Sequence, residues 1–188
     1  QVIVPVTRER ETALAPGGKW VNDQGQDTHL VITGGEPMMW QKQLEELLSH
    51  ESFREIRNIT FETNTTQDFK GTFYQFISNL ASGRVSGSPV HVTWSCSPKL
   101  TISGERWEDA IRPTVASSYA SVANSNIYFK FVVGDEQDFK DAKRAVAEFQ
   151  DAGVVCPVYL MPVGATVEGQ AKTERQVADM CTTHGYRF

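Results

Sequence analysis

The chain has 188 residues, with 18 Lys+Arg against 23 Asp+Glu and a formal net charge of −5. Forty per cent of the residues are hydrophobic, which suits a globular domain with a sizeable core and excludes wholesale disorder. The acidic balance argues against direct nucleic-acid binding, which needs a basic surface to displace counterions from phosphates. No apolar run approaches the roughly 18 residues of a membrane helix, so we expect no membrane association.

Three cysteines, at positions 96, 156 and 181, are too few and too far apart for a disulfide framework. No charged-then-apolar leader precedes the patterned region, and we therefore expect a cytoplasmic location. The chain begins at Gln1 rather than Met and stops at Phe188 at the start of a strand-like segment. We expect a piece of a longer protein, incomplete at both ends.

Hydrophobic patterning divides the chain into a polar segment, 1–27, and a region of alternating strands and helices. Segment 1–27 is interpreted as an irregular insert or linker, apart from a short apolar stretch at 2–6 that is typical of a strand. Apolar runs predict strands at 30–33, 56–62, 90–96, 127–133 and 155–161. Helical spacing predicts helices at 38–50, 67–80, 138–152 and 167–184, and another within 105–124 that Pro113 interrupts. Gly153 and Gly185 follow helices as expected C-caps.

Alternating strands and helices are typical of an α/β fold with parallel strands and right-handed crossovers. A complete eight-unit barrel needs about 250 residues, so this length accommodates a partial (β/α) barrel or an open sheet. We expect residues 1–188 to form one domain with parallel strands and outer helices. In either architecture, ligands bind where the carboxyl ends of the strands emerge.

Small, polar and ionisable residues collect after four of the five predicted strands. They are Thr33-Gly34-Gly35-Glu36-Pro37, Glu62-Thr63-Asn64-Thr65, Ser95-Cys96-Ser97-Pro98-Lys99 and Met161-Pro162-Val163-Gly164. Because the carboxyl ends of parallel strands share one edge of a sheet, these clusters together predict a ligand site.

The first cluster has the clearest chemistry. Gly34 and Gly35 let a ligand approach the backbone, and Glu36 can bind an ammonium group through a charge-assisted hydrogen bond. The alternative is a glycine-rich turn in which Glu36 only favours the start of the next helix, where Pro37 suits the first turn.

The other clusters allow a structural role beside each functional one. Glu62 and Asn64 share a face of an extended strand and could bind hydroxyl or amino groups, whereas Asn64 could instead cap a helix starting near Asp68. Lys99 suits a carboxylate or hydroxyl group, although solvated loop lysines are common. Lys130, within an apolar strand, needs a partner or a solvated face.

Cysteine and histidine predict no metal site within this sequence. The separations between the three cysteines match no metal-binding spacing, and Cys181 suits core packing on a helix face. Cys96 suits a buried strand position or a place near a ligand. His29, His50, His91 and His184 lie at the edges of predicted elements, where structural or surface roles are usual.

With these clusters in place, the chain resembles the radical S-adenosylmethionine superfamily, and within it the 7-carboxy-7-deazaguanine synthase family. The residues that carry the resemblance are Val31–Pro37 (VITGGEP), Phe61–Asn64 (FETN), Cys96–Lys99 (CSPK) and Lys130–Val133 (KFVV). Gly-Gly-Glu-Pro after a strand is a mark of the superfamily, and the Ser-Pro-Lys segment indicates the narrower family. The resemblance runs from about residue 28 to residue 188.

The resemblance implies roles for residues that match the family's motifs. Gly34, Gly35 and Glu36 would hold the methionyl amino group of S-adenosylmethionine, and Thr33 would contact the substrate. Further cofactor contacts are implied for Glu62, Asn64, Ser97, Pro98, Lys99, Met161, Pro162, Val163 and Gly164. Met161 stands where the family often has Gln.

The resemblance also implies a reaction, cofactors and partners. A [4Fe–4S] cluster would cleave S-adenosylmethionine to a radical, and 6-carboxy-5,6,7,8-tetrahydropterin would contract to 7-carboxy-7-deazaguanine with loss of ammonia, assisted by Mg²⁺. The pathway would be queuosine or related deazapurine biosynthesis. The partners implied are the small-molecule pterin, an electron donor such as a flavodoxin, and a second copy in a homodimer.

One departure from the family bears on the activity. The family holds its cluster with three cysteines before the Gly-Gly-Glu-Pro strand, followed by a magnesium-binding Thr, whereas no Cys precedes Cys96 here. We expect the cluster and magnesium ligands to lie upstream of Gln1. Two alternatives remain: another radical S-adenosylmethionine enzyme such as a glycyl-radical activase, which would lack the Ser97-Pro98-Lys99 segment, and a cluster-less module that binds S-adenosylmethionine or a nucleotide.

Overall fold

The computed structural model describes residues 20–22 and 24–188. The predicted strand-like stretch at 2–6 and most of segment 1–27 lie outside these residues. In the described part, Val21 and Asp27 form an antiparallel bridge, and the Trp20 indole donates a hydrogen bond to the Ser52 carbonyl at 2.6 Å.

The described strands form one parallel sheet in the order β1-β2-β3-β4-β5. The strands are β1 (His29–Ile32), β2 (Asn58–Thr63), β3 (His91–Cys96), β4 (Ser125–Val133) and β5 (Val158–Pro162). The predicted α/β class with parallel strands is confirmed, and the sheet is open, which is consistent with a partial barrel. β5 begins three residues later than predicted, because Val155 is 80% exposed and lies before the strand.

Helices connect the strands, as the alternating pattern predicts. In chain order they are α1 (Gln41–Leu48), α2 (Phe73–Ala81), α3 (Trp107–Ala110), α4 (Pro113–Ala120), α5 (Glu136–Asp151), α6 (Val167–Gln170) and α7 (Glu174–His184), with short 3₁₀ turns at Pro37–Trp40, Glu51–Phe53 and Thr101–Ser103. Pro113 begins α4, which explains the predicted interruption. The predicted helix 167–184 is in fact two helices, α6 and α7.

The prediction of a helix over 67–80 is wrong in its first half, since α2 begins only at Phe73. Gly71 has a left-handed φ of +54°, which a right-handed helix does not allow. The Gln67 carbonyl accepts a hydrogen bond from the Tyr119 hydroxyl instead of a backbone hydrogen bond within a helix. Phe69 extends the apolar spacing of this helix in the sequence, but it lies before the helix. Its ring packs edge-on against Trp94, with ring centroids 5.8 Å apart.

The chain divides into two compact units. The first comprises the described residues up to Glu62 together with Phe69–Trp94 and Ser121–Asn126, and the second comprises Thr63–Asp68, Ser95–Ala120 and Ile127–Phe188. In the first unit, aromatic packing forms the core: Phe61 stacks on Trp94 at 4.9 Å and meets Phe73 edge-on at 6.5 Å.

The core of the second unit is built on α5 and β4. Phe129 stacks on Phe149 with centroids 4.2 Å apart. The buried residues of α5 include Phe139, Ala142, Val146 and Phe149, which is the face that its helical spacing predicts. Asp135 caps α5, because its carboxylate accepts hydrogen bonds from the backbone N–H groups of Gln137 and Asp138. Near the carboxyl terminus Arg187 forms a parallel bridge with Tyr159 of β5.

Candidate functional site

The turn after β1 is held by two glycines in conformations that other residues rarely adopt. Gly34 has φ +96° and Gly35 has φ +57°, and a Cβ added at either position would meet no atom within 4 Å. These positions therefore favour glycine for its backbone freedom rather than for lack of space. Thr33, Gly34 and Gly35 are all exposed, so the backbone here is open to a ligand.

Glu36 has a defined structural role. Its carboxylate accepts the backbone N–H of Met38 at 3.0 Å and caps the 3₁₀ turn Pro37–Trp40, with Pro37 in its first turn. Met38, directly beneath this cap, is fully buried. The capping role foreseen from the sequence is thus present, and it is compatible with a second role because a carboxylate accepts several hydrogen bonds.

Thr33 and Glu62 are brought side by side in the first unit. β1 and β2 pair in parallel with Ile32 opposite Phe61, so the next residues along the two strands are Thr33 and Glu62. Thr33 is exposed and Glu62 is half-buried. The two residues that the sequence assigns to a substrate and a cofactor are therefore neighbours at the carboxyl ends of these strands.

Asn64 forms a local turn rather than a helix cap. Its Oδ1 accepts hydrogen bonds from the Thr66 backbone N–H at 3.1 Å and from the Thr66 hydroxyl at 2.7 Å. The alternative that Asn64 caps a helix near Asp68 is wrong, since residues 66–70 are irregular and α2 begins only at Phe73. This turn fixes the path of the chain as it leaves β2.

The Ser97-Pro98-Lys99 segment leaves β3 in direct pairing with the end of β2. The Ser97 N–H donates to the Thr63 carbonyl at 2.7 Å, which places Ser97 opposite Asn64 in the parallel ladder of the second unit. Pro98 is buried, while Ser97 and Lys99 are half-buried. Asn64 and Ser97, predicted independently, thus lie together.

The Met161–Gly164 segment ends β5 beside the end of β4. Val132 is opposite Met161, and the Val163 N–H donates to the Val133 carbonyl at 3.2 Å. Gly164 has φ +146°, and a Cβ there would lie 2.6 Å from the Gln170 backbone nitrogen. Glycine is therefore required at this position both by the backbone conformation and by the lack of room for a Cβ. It allows the loop after β5 to pack closely against the backbone of α6.

Two residues of the second unit belong to the predicted strand-end clusters, but the sequence assigned neither of them a role of its own. The hydroxyl groups of Thr65 and Ser95 are buried without a hydrogen-bond partner in the described structure, and both side chains are 0% exposed. Each such group costs about 1–3 kcal/mol. Thr65 also has φ +65°, a strained conformation for a β-branched residue. The spacing of two residues between Ser95 and Ser97 indicates that both side chains lie on one face of the strand. Nothing in the sequence indicates the left-handed backbone conformation of Thr65.

Lys130, the remaining residue singled out in the sequence, is half-buried on β4 opposite Tyr159. Cys96 and Cys181 are buried, the second as predicted for core packing. His29 contacts the Thr60 hydroxyl at 2.6 Å, His50 caps the turn at Ser52, and His91 contacts Asn126 at 3.1 Å. These contacts agree with structural roles.

The cysteines present do not fit an iron–sulfur cluster. Burial raises the pKa of Cys156 to about 11 and also raises the pKa of Cys181, whereas cluster ligands must be thiolates. In the described ranges, no group of three or more His, Cys, Asp or Glu residues is placed to hold a metal ion. No cysteine precedes Cys96 anywhere in the sequence.

A surface groove of about 500 Å³ lies elsewhere on the second unit, along α7. The groove is lined by two basic residues, Lys172 and Arg175, and by two acidic residues, Glu136 and Asp179, and no predicted site residue lines it. Over the part of the chain that the structure covers, no helix combines the length and apolar character needed to cross a membrane.

Comparison with known proteins supplies two relatives. A 7-carboxy-7-deazaguanine synthase of Pyrobaculum aerophilum is 26% identical over 161 residues, covering 85% of this chain and 60% of the relative. A 7-carboxy-7-deazaguanine synthase of Halobacterium salinarum is 27% identical over 168 residues, covering 85% of this chain and 61% of the relative.

The chain therefore spans about 60% of the length of these curated relatives. No family model matches it, and no solved structure matches it significantly. The strand-end motifs and these alignments nevertheless agree with each other. The chain is related in sequence to the 7-carboxy-7-deazaguanine synthases, the family that its motifs resemble.

Proposed function

We propose that this chain is the S-adenosylmethionine-binding part of a 7-carboxy-7-deazaguanine synthase. The reaction would contract 6-carboxy-5,6,7,8-tetrahydropterin to 7-carboxy-7-deazaguanine with loss of ammonia, in queuosine or related deazapurine biosynthesis. The observation that carries the proposal is the alignment of 85% of the chain with two relatives of that name. The strand-end position of all four motifs supports it.

In the first unit, Gly34, Gly35 and Glu36 would bind the methionyl ammonium group. The exposed glycine backbone offers carbonyl acceptors, and the Glu36 carboxylate adds a charge-assisted hydrogen bond. Thr33 would contact the pterin, since its side chain is exposed at the end of β1. Glu62, its neighbour by register, would contact the cofactor.

In the second unit, the cofactor contacts would come from two loops. Asn64 and Ser97 lie opposite each other, and with Pro98 they offer polar groups on a rigid backbone to the ribose. Lys99 would pair with the methionyl carboxylate. The loop Met161, Pro162, Val163 and Gly164 is fixed by the required glycine and would cover a further part of the cofactor.

When bound to a reduced cluster, S-adenosylmethionine supplies a radical that starts the reaction. The residues of this chain would bind and orient the cofactor and keep water from it. The cysteines present do not fit the cluster, so the [4Fe–4S] and Mg²⁺ ligands belong in our proposal to the longer protein. The electron donor such as a flavodoxin, the homodimer and the cytoplasmic location are proposals of the same kind.

The test combines binding with turnover. Calorimetry of S-adenosylmethionine against this chain should show saturable binding with one site. The longest native gene product, assayed anaerobically with a reductant and the tetrahydropterin, should release 7-carboxy-7-deazaguanine detectable by mass spectrometry. Absence of the product from a cluster-loaded protein would contradict the proposed reaction.

A second candidate function is a cluster-less module that binds S-adenosylmethionine or a nucleotide. The donor set within these 188 residues favours it, because the three cysteines stand 60 and 25 residues apart and two of them are buried. The iron content of the native gene product separates the two functions. About four irons per chain would support the synthase, and saturable binding without iron would support the module.

A further inference from the structure

Two buried hydroxyl groups of the second unit, those of Thr65 and Ser95, have the same unusual environment. Thr65 directly follows Asn64 at the end of β2, and Ser95 precedes Ser97 by two residues on β3. Both hydroxyl groups are fully buried and have no hydrogen-bond partner in the described structure. A buried hydroxyl without a partner lowers the stability of the fold, so each one requires an explanation.

Both hydroxyl groups lie next to residues of the second unit that are proposed to bind the cofactor: Thr65 directly follows Asn64 in the chain, and strand pairing relates Ser95 to Ser97. The Ser97 N–H donates to the Thr63 carbonyl, so Ser97 lies opposite Asn64. Side chains two apart on a strand share a face, which puts Ser95 on the same face as Ser97 and one step further from the strand end. A ligand that contacts Ser97 and extends along β3 would next meet Ser95.

The backbone of Thr65 suggests how a ligand gains access. Thr65 is β-branched and has φ +65°, and its N–H is held by the Thr63 hydroxyl at 3.0 Å. Such strain persists where the surroundings enforce it, and it is concentrated at functional sites. Because both hydroxyl groups are closed to solvent, binding requires an adjustment of the turn after Asn64, and the strain lowers the cost of that adjustment.

We infer that Thr65 and Ser95 are specificity-determining residues that hydrogen-bond the bound cofactor. A hydroxyl both donates and accepts, which suits the ribose hydroxyls or the amino-acid carboxylate of S-adenosylmethionine. The inference rests on the proposed function. It adds to the proposed cofactor site two hydrogen-bonding residues that no family motif supplies. Loss of either hydroxyl is expected to improve folding and impair binding, which is the signature of a residue kept for function.

The experiment compares Thr65→Val and Ser95→Ala with the parent chain. We expect each variant to melt about 2–4 °C higher without ligand, because an unpaired hydroxyl is removed. Calorimetry should show S-adenosylmethionine binding about five- to tenfold more weakly. Thr65→Ser keeps the hydroxyl and should bind like the parent.

Thr60→Val is the matched control, since Thr60 is a buried threonine of β2 whose hydroxyl contacts His29 at 2.6 Å. It should melt at a lower temperature and bind the cofactor with unchanged affinity. Lower melting temperatures in Thr65→Val and Ser95→Ala, or unchanged affinities where the parent binds, overturn the inference and leave the proposed function intact. No binding by the parent overturns the proposed function and the inference with it.

Discussion

Glycine serves different purposes in the strand-end turns of the two units. At Gly34 and Gly35 a side chain would meet no atom, so only the left-handed backbone calls for glycine. At Gly164 a Cβ would also lie 2.6 Å from the Gln170 nitrogen, so glycine is needed for close approach. The first pair leaves a turn open for a ligand, whereas the last glycine tightens a loop.

Glu36→Gln separates the two roles of this carboxylate. Gln keeps an oxygen that can accept the Met38 N–H, so the melting temperature should change little. The affinity for S-adenosylmethionine should fall about tenfold in calorimetry, because the charge that we propose to face the ammonium group is lost. Glu46→Gln, an exposed position on α1, is the matched control and should bind like the parent. Unchanged affinity in Glu36→Gln would refute the assignment.

Thr33→Val tests the proposal that Thr33 contacts the pterin substrate while its neighbour Glu62 contacts the cofactor. Thr33 lies beside Glu62 at the ends of β1 and β2, and only Thr33 is proposed to contact the pterin. We expect weaker pterin binding, about five- to tenfold, with S-adenosylmethionine binding retained. Titration of each ligand separately provides the measurement. Equal loss of both affinities would mean that Thr33 supports the site as a whole.

The predicted bounds of an element are most accurate where the apolar spacing and the capping residues indicate the same helix. Helix α5 was predicted at 138–152 and spans Glu136–Asp151, with Asp135 as its cap and Phe149 in the core. Helix α2 is predicted to begin at residue 67 but begins six residues later, at Phe73. The aromatic spacing extends back to Phe69, but the left-handed Gly71 and the hydrogen bond from the Tyr119 hydroxyl to the Gln67 carbonyl do not allow a helix before Phe73.

Gly164→Ala tests whether the loop after β5 depends on close packing. A Cβ at this position collides with backbone atoms of α6, so we expect the free energy of unfolding to fall by about 2–4 kcal/mol. Gly153→Ala is the control, since Gly153 has φ +85° in open space and should cost only about 1 kcal/mol. Urea denaturation monitored by circular dichroism gives both values. Equal losses would show that conformation alone, rather than packing, decides the cost at Gly164.

For the whole molecule, the cysteine chemistry predicts the outcome of cluster reconstitution. Cys96 and Cys181 are buried, and the three cysteines stand 60 and 25 residues apart, which matches no cluster-binding spacing. Anaerobic incubation of this 188-residue chain with iron and sulfide should leave well under one iron per chain. Iron and acid-labile sulfide assays measure this directly, and the denatured chain serves as the control for adventitious binding. A stoichiometry near four would show that the chain ligates a cluster itself.

The sequence alone determined the α/β class, the order of the strands along the chain and the position of the polar motifs after strand ends. These follow from local periodicity and turn chemistry, which depend on neighbouring residues only. The tertiary structure decided the hydrogen bond from the Ser97 N–H to the Thr63 carbonyl and the burial of Thr65 and Ser95. Those features depend on strand register and on a strained backbone imposed by distant packing, and no local pattern of residue types encodes them.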